Sequence, residues 1–494
     1  MDSLVSNIVH NIIQENVSIS IIRYADSLLM REDIYSRLSE ESGVKFVTGS
    51  NIELRFHYEL HKNDDGQHYC YLLGTGQMLM PDIMRKCYVT DFKLTDLFSC
   101  YDIPTLIEAH PSFPLLSILF EKRTLRNLGP RETIDIINAQ KEKLGADASE
   151  LKQQLLEIPR DWTSVSTMEQ ISDLVIKAIM QNAYKEIEPA LNEINADFQR
   201  FVDENYFNTQ TSSAFGKPKV VSKILPYLCD KHERNEMVAL VVVDCLSYWQ
   251  YSMLGKRLRE EGLSPKDDIT FAWMPSVTEL SRQAIFRGDF PENDYNQGPG
   301  SEEKLWNKYW TSHDRGSKQL IGDSALYLYE KEVPEFIYQQ RVALVDVNLD
   351  HTAHACRYTK DLYSITENWV ERILPRIKRL YEEGYYIYIV TDHGNISSHD
   401  GWSLTQQDKT FIVKEKDSDV SRGERYLRFD KETYLNAFVE MHPDDQTNWL
   451  IRDNWLVWRN TQSFKPKEEI THGGAHFMEM VIPFITIENK KYGE

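Results

Sequence analysis

"IYIVTDHGN", residues 387–395, drives a run of β-branched and aromatic residues into an abrupt polar stop at Thr391-Asp392-His393-Gly394-Asn395. Alone, such a stop is a strand leaving the core through a polar turn. The surrounding sequence changes the reading. MVALVVVD (237–244) is a near-continuous apolar run, DITFAWM (268–274) and RVALVDV (341–347) follow, and the chain closes on VIPFITIE (481–488). Runs that are apolar on both faces suit a parallel sheet covered by helices. Helical patterns separate them, over Tyr248 to Glu260, after Thr278, and from Asp361 to Glu383. Alternating strands and helices predict a doubly wound α/β domain, and such sheets bind ligands past the carboxyl ends of their strands. The Asp-His pair stands where that site would be.

Other strand ends carry similar residues. Asp244 ends the first run, and Thr278 follows DITFAWM after the turn Pro275-Ser276-Val277. Asp350 and His354 follow RVALVDV with DxxxH spacing, and His472 lies in ITHGGAHFMEMVIP before the last strand. Each has an ordinary reading: a terminal Asp caps a helix, Thr278 is an N-cap, His472 is a turn residue. As a set they supply carboxylates and imidazoles without a thiolate, which suits two divalent cations such as zinc or manganese.

The rest of the chain sets bounds. Its 494 residues allow two or three domains. The net charge of −20 excludes attraction of polyanions over the whole surface, so nucleic acid would need a local basic patch, metal ions or a partner. Six scattered cysteines with no CxxC pair predict reduced thiols in a cytosolic protein. The first residues lack the basic region and apolar run of a signal peptide. No run approaches the ~20 apolar residues of a membrane span. Three regions are expected: a small α/β unit over 1–105, a mostly helical region over 106–235, and the α/β domain over 236–494. In the first, VSISIIRY, VKFVT, ELRFHYEL and HYCYLLGT read as β-rich runs, and LMREDIYSRLSEES as a helix. In the second, Thr167 reads as an N-cap with Gln170 three residues on.

The order Asp, Thr, DxxxH, Asp-His, late His resembles the alkaline phosphatase superfamily of metal-dependent phosphoesterases, and within it the PglZ domain. PSVTELSRQAIFRG (275–288) is similar to that family's nucleophile segment, and HGGAHFMEMVIP (472–483) to its closing motif, with Glu479 and Pro483 in step. His476 departs from it, standing where a small or hydroxyl residue is expected, which leaves open an extra ligand or proton donor. The resemblance covers about residues 237–494. It implies an alkaline-phosphatase-like sheet, with one metal held by Asp244, Thr278, Asp392 and His393 and another by Asp350, His354 and His472. The cations would be zinc ahead of manganese or magnesium. Thr278 would be the nucleophile, and Arg282, four residues on, is assigned either a phosphate contact or a surface ion pair.

A polar and aromatic insertion between Gly288 and Arg341 is expected to cap the metals. Its Trp306, Tyr309 and Trp310 read as the cap's own core ahead of a base-stacking surface. Arg422, Arg425 and Arg428 suggest a phosphate-binding rim or, more commonly, a solvated hairpin. The resemblance implies a cytoplasmic phosphodiesterase or nuclease in a BREX-type phage-defence assembly. It would act on nucleic acid or nucleotides beside other subunits, with no membrane and with homo-oligomers allowed. The alternatives are a phosphomonoesterase and a scaffold subunit with a phosphatase-like fold. A sulfatase ranks lower because position 278 is Thr.

Overall fold

A computed structural model describes residues 3–489, apart from 15–16, 65, 75, 78, 80, 212–215, 293–294, 357–358 and 413–423. The chain divides into two compact units, Met1–Glu150 and Leu151–Glu494. The division falls inside the stretch that the sequence pattern groups as one helical region.

The first unit is built on a parallel sheet of β1 (Ile19–Arg23), β2 (Lys45–Val47), β3 (Tyr69–Leu72) and β4 (Tyr88–Asp91), in the order β2-β3-β1-β4. Alternation along the strands sends Ile19, Ile21, Tyr69 and Tyr71 to one core, and Ile22, Cys70 and Leu72 to the other. One expected β-run is a helix. ELRFHYEL lies in Asn51–His61, started by a capping box in which Ser50 and Glu53 satisfy each other's backbone N–H groups. Its apolar residues alternate because the helix has two apolar rows: Leu54 and Tyr58 are buried, while Ile52, Phe56 and Leu60 are exposed. The period of two came from two interleaved i, i+4 rows.

The second unit holds a mixed seven-stranded sheet. Its strands are β5 (Val238–Val243), β6 (Pro265–Lys266), β7 (Ile269–Phe271), β8 (Ala325–Tyr329), β9 (Arg341–Asp346), β10 (Tyr386–Thr391) and the last strand, Val481–Ile487. β8, β9, β5 and β10 run parallel side by side. The last strand closes β10 antiparallel and carries β6 and β7 on its other side. β5, β9 and the last strand are buried along their whole length. Burying each Val or Ile there is worth roughly 1.5–3 kcal/mol relative to leaving it exposed, which is what this continuous apolar pattern supplies. Helices Tyr248–Glu260, Thr278–Arg287 and Thr359–Glu382 fill the predicted crossovers. The C-terminal half is thus built on a mixed α/β sheet.

The helical pattern after residue 165 differs in detail from the expectation. Ser164 caps helix Val165–Met180, whereas Thr167 is buried in its first turn with its hydroxyl turned back to the Pro159 and Asp161 carbonyls. The insertion does more than cover the sheet. Its ALYLY segment is β8, an edge strand in register with β9, and its helix Pro299–Thr311 packs inward. Trp306, Tyr309 and Trp310 are 0%, 4% and 0% exposed, so they form a core and offer no stacking surface.

Candidate metal centre

β5, β9 and β10 are adjacent, so their carboxyl ends open on one place. Asp244 follows β5, and Cys245 turns the chain sharply with φ of +67°. Asp392 and His393 follow β10. Asp392 Oδ1 accepts the N–H groups of Cys245 (3.3 Å) and His393 (3.0 Å), tying the two strand ends together. Gly394 explains the abrupt stop in the sequence. A Cβ there would lie 2.1 Å from the Met478 carbonyl oxygen, a backbone atom that cannot swing aside. Asn395 completes the turn, its amide donating to Cys245 O (2.7 Å) and Gln250 Oε1 (2.8 Å).

Six of the seven residues assigned to metals gather into two groups linked by a ring stack, and Thr278 stands beside the first. In one, ligand atoms of Asp244, Asp392 and His393 all lie within 4.8 Å of one another, and in the other those of Asp350, His354 and His472 do. The His393 and His472 rings stack across the groups, 4.0 Å between centroids. Thr278, at the start of helix Thr278–Arg287, sets its hydroxyl 3.0 Å from His393 Nε2 and 3.4 Å from Asp244 Oδ1. His393 Nδ1 faces the Gly394 carbonyl at 3.1 Å. A carbonyl can only accept, so Nδ1 carries the proton and the Nε2 lone pair points into the site.

The donor set fits divalent cations on two observations. Among the described residues, buried Asp392 Oδ2 has no hydrogen-bond partner, and buried Asp350 Oδ1 faces the His354 and His472 Nε2 atoms at 3.2 and 3.6 Å. A buried carboxylate oxygen left unpaired is costly, and a cation removes that cost. The electrostatics agree. Burial, and then repulsion from Asp244, push the Asp392 carboxyl well above its usual range despite Arg282. Burial also works against the Asp350 charge, but His354, His472 and His393 outweigh it and hold that carboxyl below its usual range. Burial and the neighbouring His393 push His472 down to about 4, so at neutral pH its imidazole is uncharged and free to donate a lone pair.

Arg282 forms a buried ion pair and not a surface one. Its guanidinium is buried, with Nη1 2.6 Å from Asp244 Oδ2 and Nε 2.8 Å from Glu302 Oε1. Four residues after Thr278 it shares that residue's helix face, and its guanidinium meets the carboxylates at the strand ends. His476 is in neither group. It caps the short helix Phe477–Met480, with Nδ1 accepting the Met478 N–H at 3.2 Å, and burial pushes its pKa well below the ordinary value. Arg422 lies outside the described residues. Arg425 forms neither rim nor solvated hairpin: it is fully buried, with Nε and Nη2 each 3.0 Å from the Glu479 carboxylate. Glu479 also accepts the Gly474 N–H at 2.8 Å, so this pair anchors the loop that carries His472.

Several supporting residues escaped the sequence reading. Gln199 donates to the Ala475 carbonyl (2.7 Å), and Asn195 accepts the Phe477 N–H (3.1 Å), so helix Tyr184–Phe201 braces the closing motif. Glu302, inside the insertion, reaches the centre through Arg282. No motif signals these three, because each acts from a distant segment. His472 to Pro483 did carry one signal, Glu479 in step with the family's motif.

A model of the PglZ family, described as the BREX system PglZ alkaline phosphatase-like domain, matches residues 223–487. The chain belongs to the PglZ family. Among solved structures, this PglZ chain matches murine ectonucleotide pyrophosphatase/phosphodiesterase 5 at 10% identity, over 51% of this chain and 88% of that one, with a TM-score of 0.38. The human counterpart matches at 9% identity over the same shares, with a TM-score of 0.34. No curated protein matches the PglZ chain. Among the described residues, no helix is long and apolar enough to cross a membrane.

Proposed function

We propose that this PglZ protein is a divalent-metal-dependent phosphodiesterase acting on nucleic acid or nucleotides within a BREX-type defence assembly. The observation that carries the reading is the Thr278 hydroxyl set against Asp244 and His393 of one acid-imidazole group, whose His393 ring stacks on His472 of a second. Asp244, Thr278, Asp392 and His393 would hold one cation, zinc ahead of manganese or magnesium, and Asp350, His354 and His472 the other. Bound there, the cations would supply charge neutralisation on the phosphoryl group and acidify the hydroxyl.

The chain's own residues do the rest. Thr278 Oγ1 attacks phosphorus, a bond to Oγ1 forms, and the ester oxygen leaves as the alcohol or nucleoside. Water then attacks the same phosphorus, the Oγ1–P bond breaks, and Oγ1 regains a proton. Asp244 and His393 orient the hydroxyl. Val277 provides no side-chain cap to the helix that Thr278 opens, which leaves its first N–H groups and positive dipole end to an anion. The acidic surface supports delivery of a polyanionic substrate by partner subunits, with region 236–494 as the catalytic part.

The test is turnover of a panel of nucleotide mono- and diesters by metal-reconstituted protein. Thr278→Ala is expected to lower diester turnover by at least about a hundredfold while the protein still folds, and Thr278→Ser to keep part of it. Equal turnover by wild type and Thr278→Ala would remove the nucleophile from the mechanism. Absence of bound metal in reconstituted wild type would remove the function.

A further inference from the structure

A fixed positive charge beside a cation site is a competitor for its ligands, and Arg282 is such a charge. Its guanidinium, on a side chain only 5% exposed, lies 2.6 Å from Asp244 Oδ2 and 3.7 Å from Asp392 Oδ2. Left alone between two carboxylates, it would take both and repel a divalent ion. A third carboxylate stands on its other side. Glu302, 0% exposed on helix Pro299–Thr311, accepts Arg282 Nε at 2.8 Å through Oε1. Its Oε1 also accepts from the Gln297 amide, and its Oε2 accepts the Tyr327 hydroxyl of β8 at 2.5 Å. A carboxylate with no exposure and three donors is held, not merely tolerated. The outcome is a division of oxygens. Asp244 Oδ2 is given to Arg282, whereas Asp244 Oδ1 faces Thr278 (3.4 Å) and His393 Nε2 (3.5 Å), and Asp392 Oδ2 has no hydrogen-bond partner among the described residues.

We propose that Glu302 is a positioning residue for the Asp244/Asp392/His393 group: it holds Arg282 by Nε and offsets its charge, so that Asp244 Oδ1 and Asp392 Oδ2 stay available to a divalent cation. The inference rests on the reading of that group as a cation site. It gives the insertion over 289–340 a role through helix Pro299–Thr311 and β8, as a strut that sets the charge balance of the centre from behind. With Glu302 ionised, Arg282 and Glu302 sum to zero and the two aspartates face the cation with their full charge. Without it, the Arg282 charge is offset only by the two aspartates that the cation needs, in a buried place where screening is weak.

The experiment is a zinc titration of the full-length protein against a competing chelating indicator. An Asp350→Ala/His354→Ala background isolates the first group. Glu302→Gln, the same shape without the charge, is expected to weaken zinc binding at least tenfold. Glu302→Asp, which keeps the charge but shortens the reach to Arg282, is expected to weaken it by less. The double change Arg282→Met/Glu302→Gln removes both charges and is expected to return affinity to within about threefold of the background, which a merely structural role for Glu302 would not do. Equal affinity in background and Glu302→Gln overturns the inference. If Glu302→Gln does not fold, equal affinity in background and Glu302→Asp overturns it instead. Wild type that binds no zinc at all overturns the underlying reading and this inference with it, whereas zinc-binding wild type with unaffected variants overturns this inference alone.

Discussion

Asp392→Asn should make the metal-free protein more stable and the metal-loaded protein less so. Asp392 is fully buried, its Oδ1 occupied by two backbone N–H groups and its Oδ2 without a hydrogen-bond partner among the described residues. Burial and the Asp244 charge raise its pKa well above the ordinary 3.8. A carboxyl whose folded pKa lies above its unfolded value holds a proton that the unfolded chain releases. Its contribution to stability is complete below about pH 4 and is lost as pH rises towards the folded pKa, by about 1.4 kcal/mol per pH unit across that window. Asn keeps the Oδ1 acceptor and cannot ionise. In chelator at pH 8 the variant should therefore be about 1–3 kcal/mol more stable than wild type, the usual cost of a buried unsatisfied polar group. Its stability should also be flat over the pH range where that of wild type falls. Zinc reverses the order. A cation at about a thousand times its Kd stabilises a folded protein by about 4.1 kcal/mol per site, more than the lead of the variant in chelator. Wild type should gain that twice, and the variant once, from Asp350, His354 and His472. Urea unfolding from pH 5 to 9, with chelator and with zinc, measures all four quantities. A variant less stable than wild type in chelator, with its gain from zinc undiminished, would sink both the electrostatic reading of Asp392 and its place as a ligand.

Two further perturbations probe how the centre is held. Gly394→Ala sets a Cβ 2.1 Å from the Met478 carbonyl oxygen, so either the Asp392-His393 turn or the Met478 backbone must shift. The expected cost is about 1–3 kcal/mol or more in urea unfolding, with weaker zinc binding, while Gly300→Ala, which meets nothing within 4 Å, should be close to neutral. Arg425→Met strands the Glu479 carboxylate in a place with no exposure. It should cost about 3–5 kcal/mol and loosen zinc at the His472 group before the Asp392 group, because Glu479 holds the Gly474 N–H beside His472. A stable Arg425→Met variant with both sites intact would contradict that role.

The sequence by itself determined the sheet of the second unit and the residues at its ends. β5, β9, β10 and the last strand are continuous apolar runs buried over nearly all their length, a pattern readable without neighbours because both faces meet helices. The polar residues that end them are conspicuous for the same reason: a run of buried Val and Ile makes Asp244 and Asp392 stand out. Where a face is not buried, local pattern misled. Asn51–His61 alternated like a strand because its second apolar row, Ile52, Phe56 and Leu60, is exposed. The tertiary structure alone decided which charges meet. Arg282 has the spacing of a phosphate ligand from Thr278, yet it is claimed by Asp244 beside it and by Glu302 from the insertion. Arg425 sits in a basic stretch, yet it is buried against Glu479, 54 residues away. Hydrophobic burial follows a period written along the chain. The pairing of buried charges depends on segments far apart in sequence arriving within 3 Å, and no local pattern encodes that meeting.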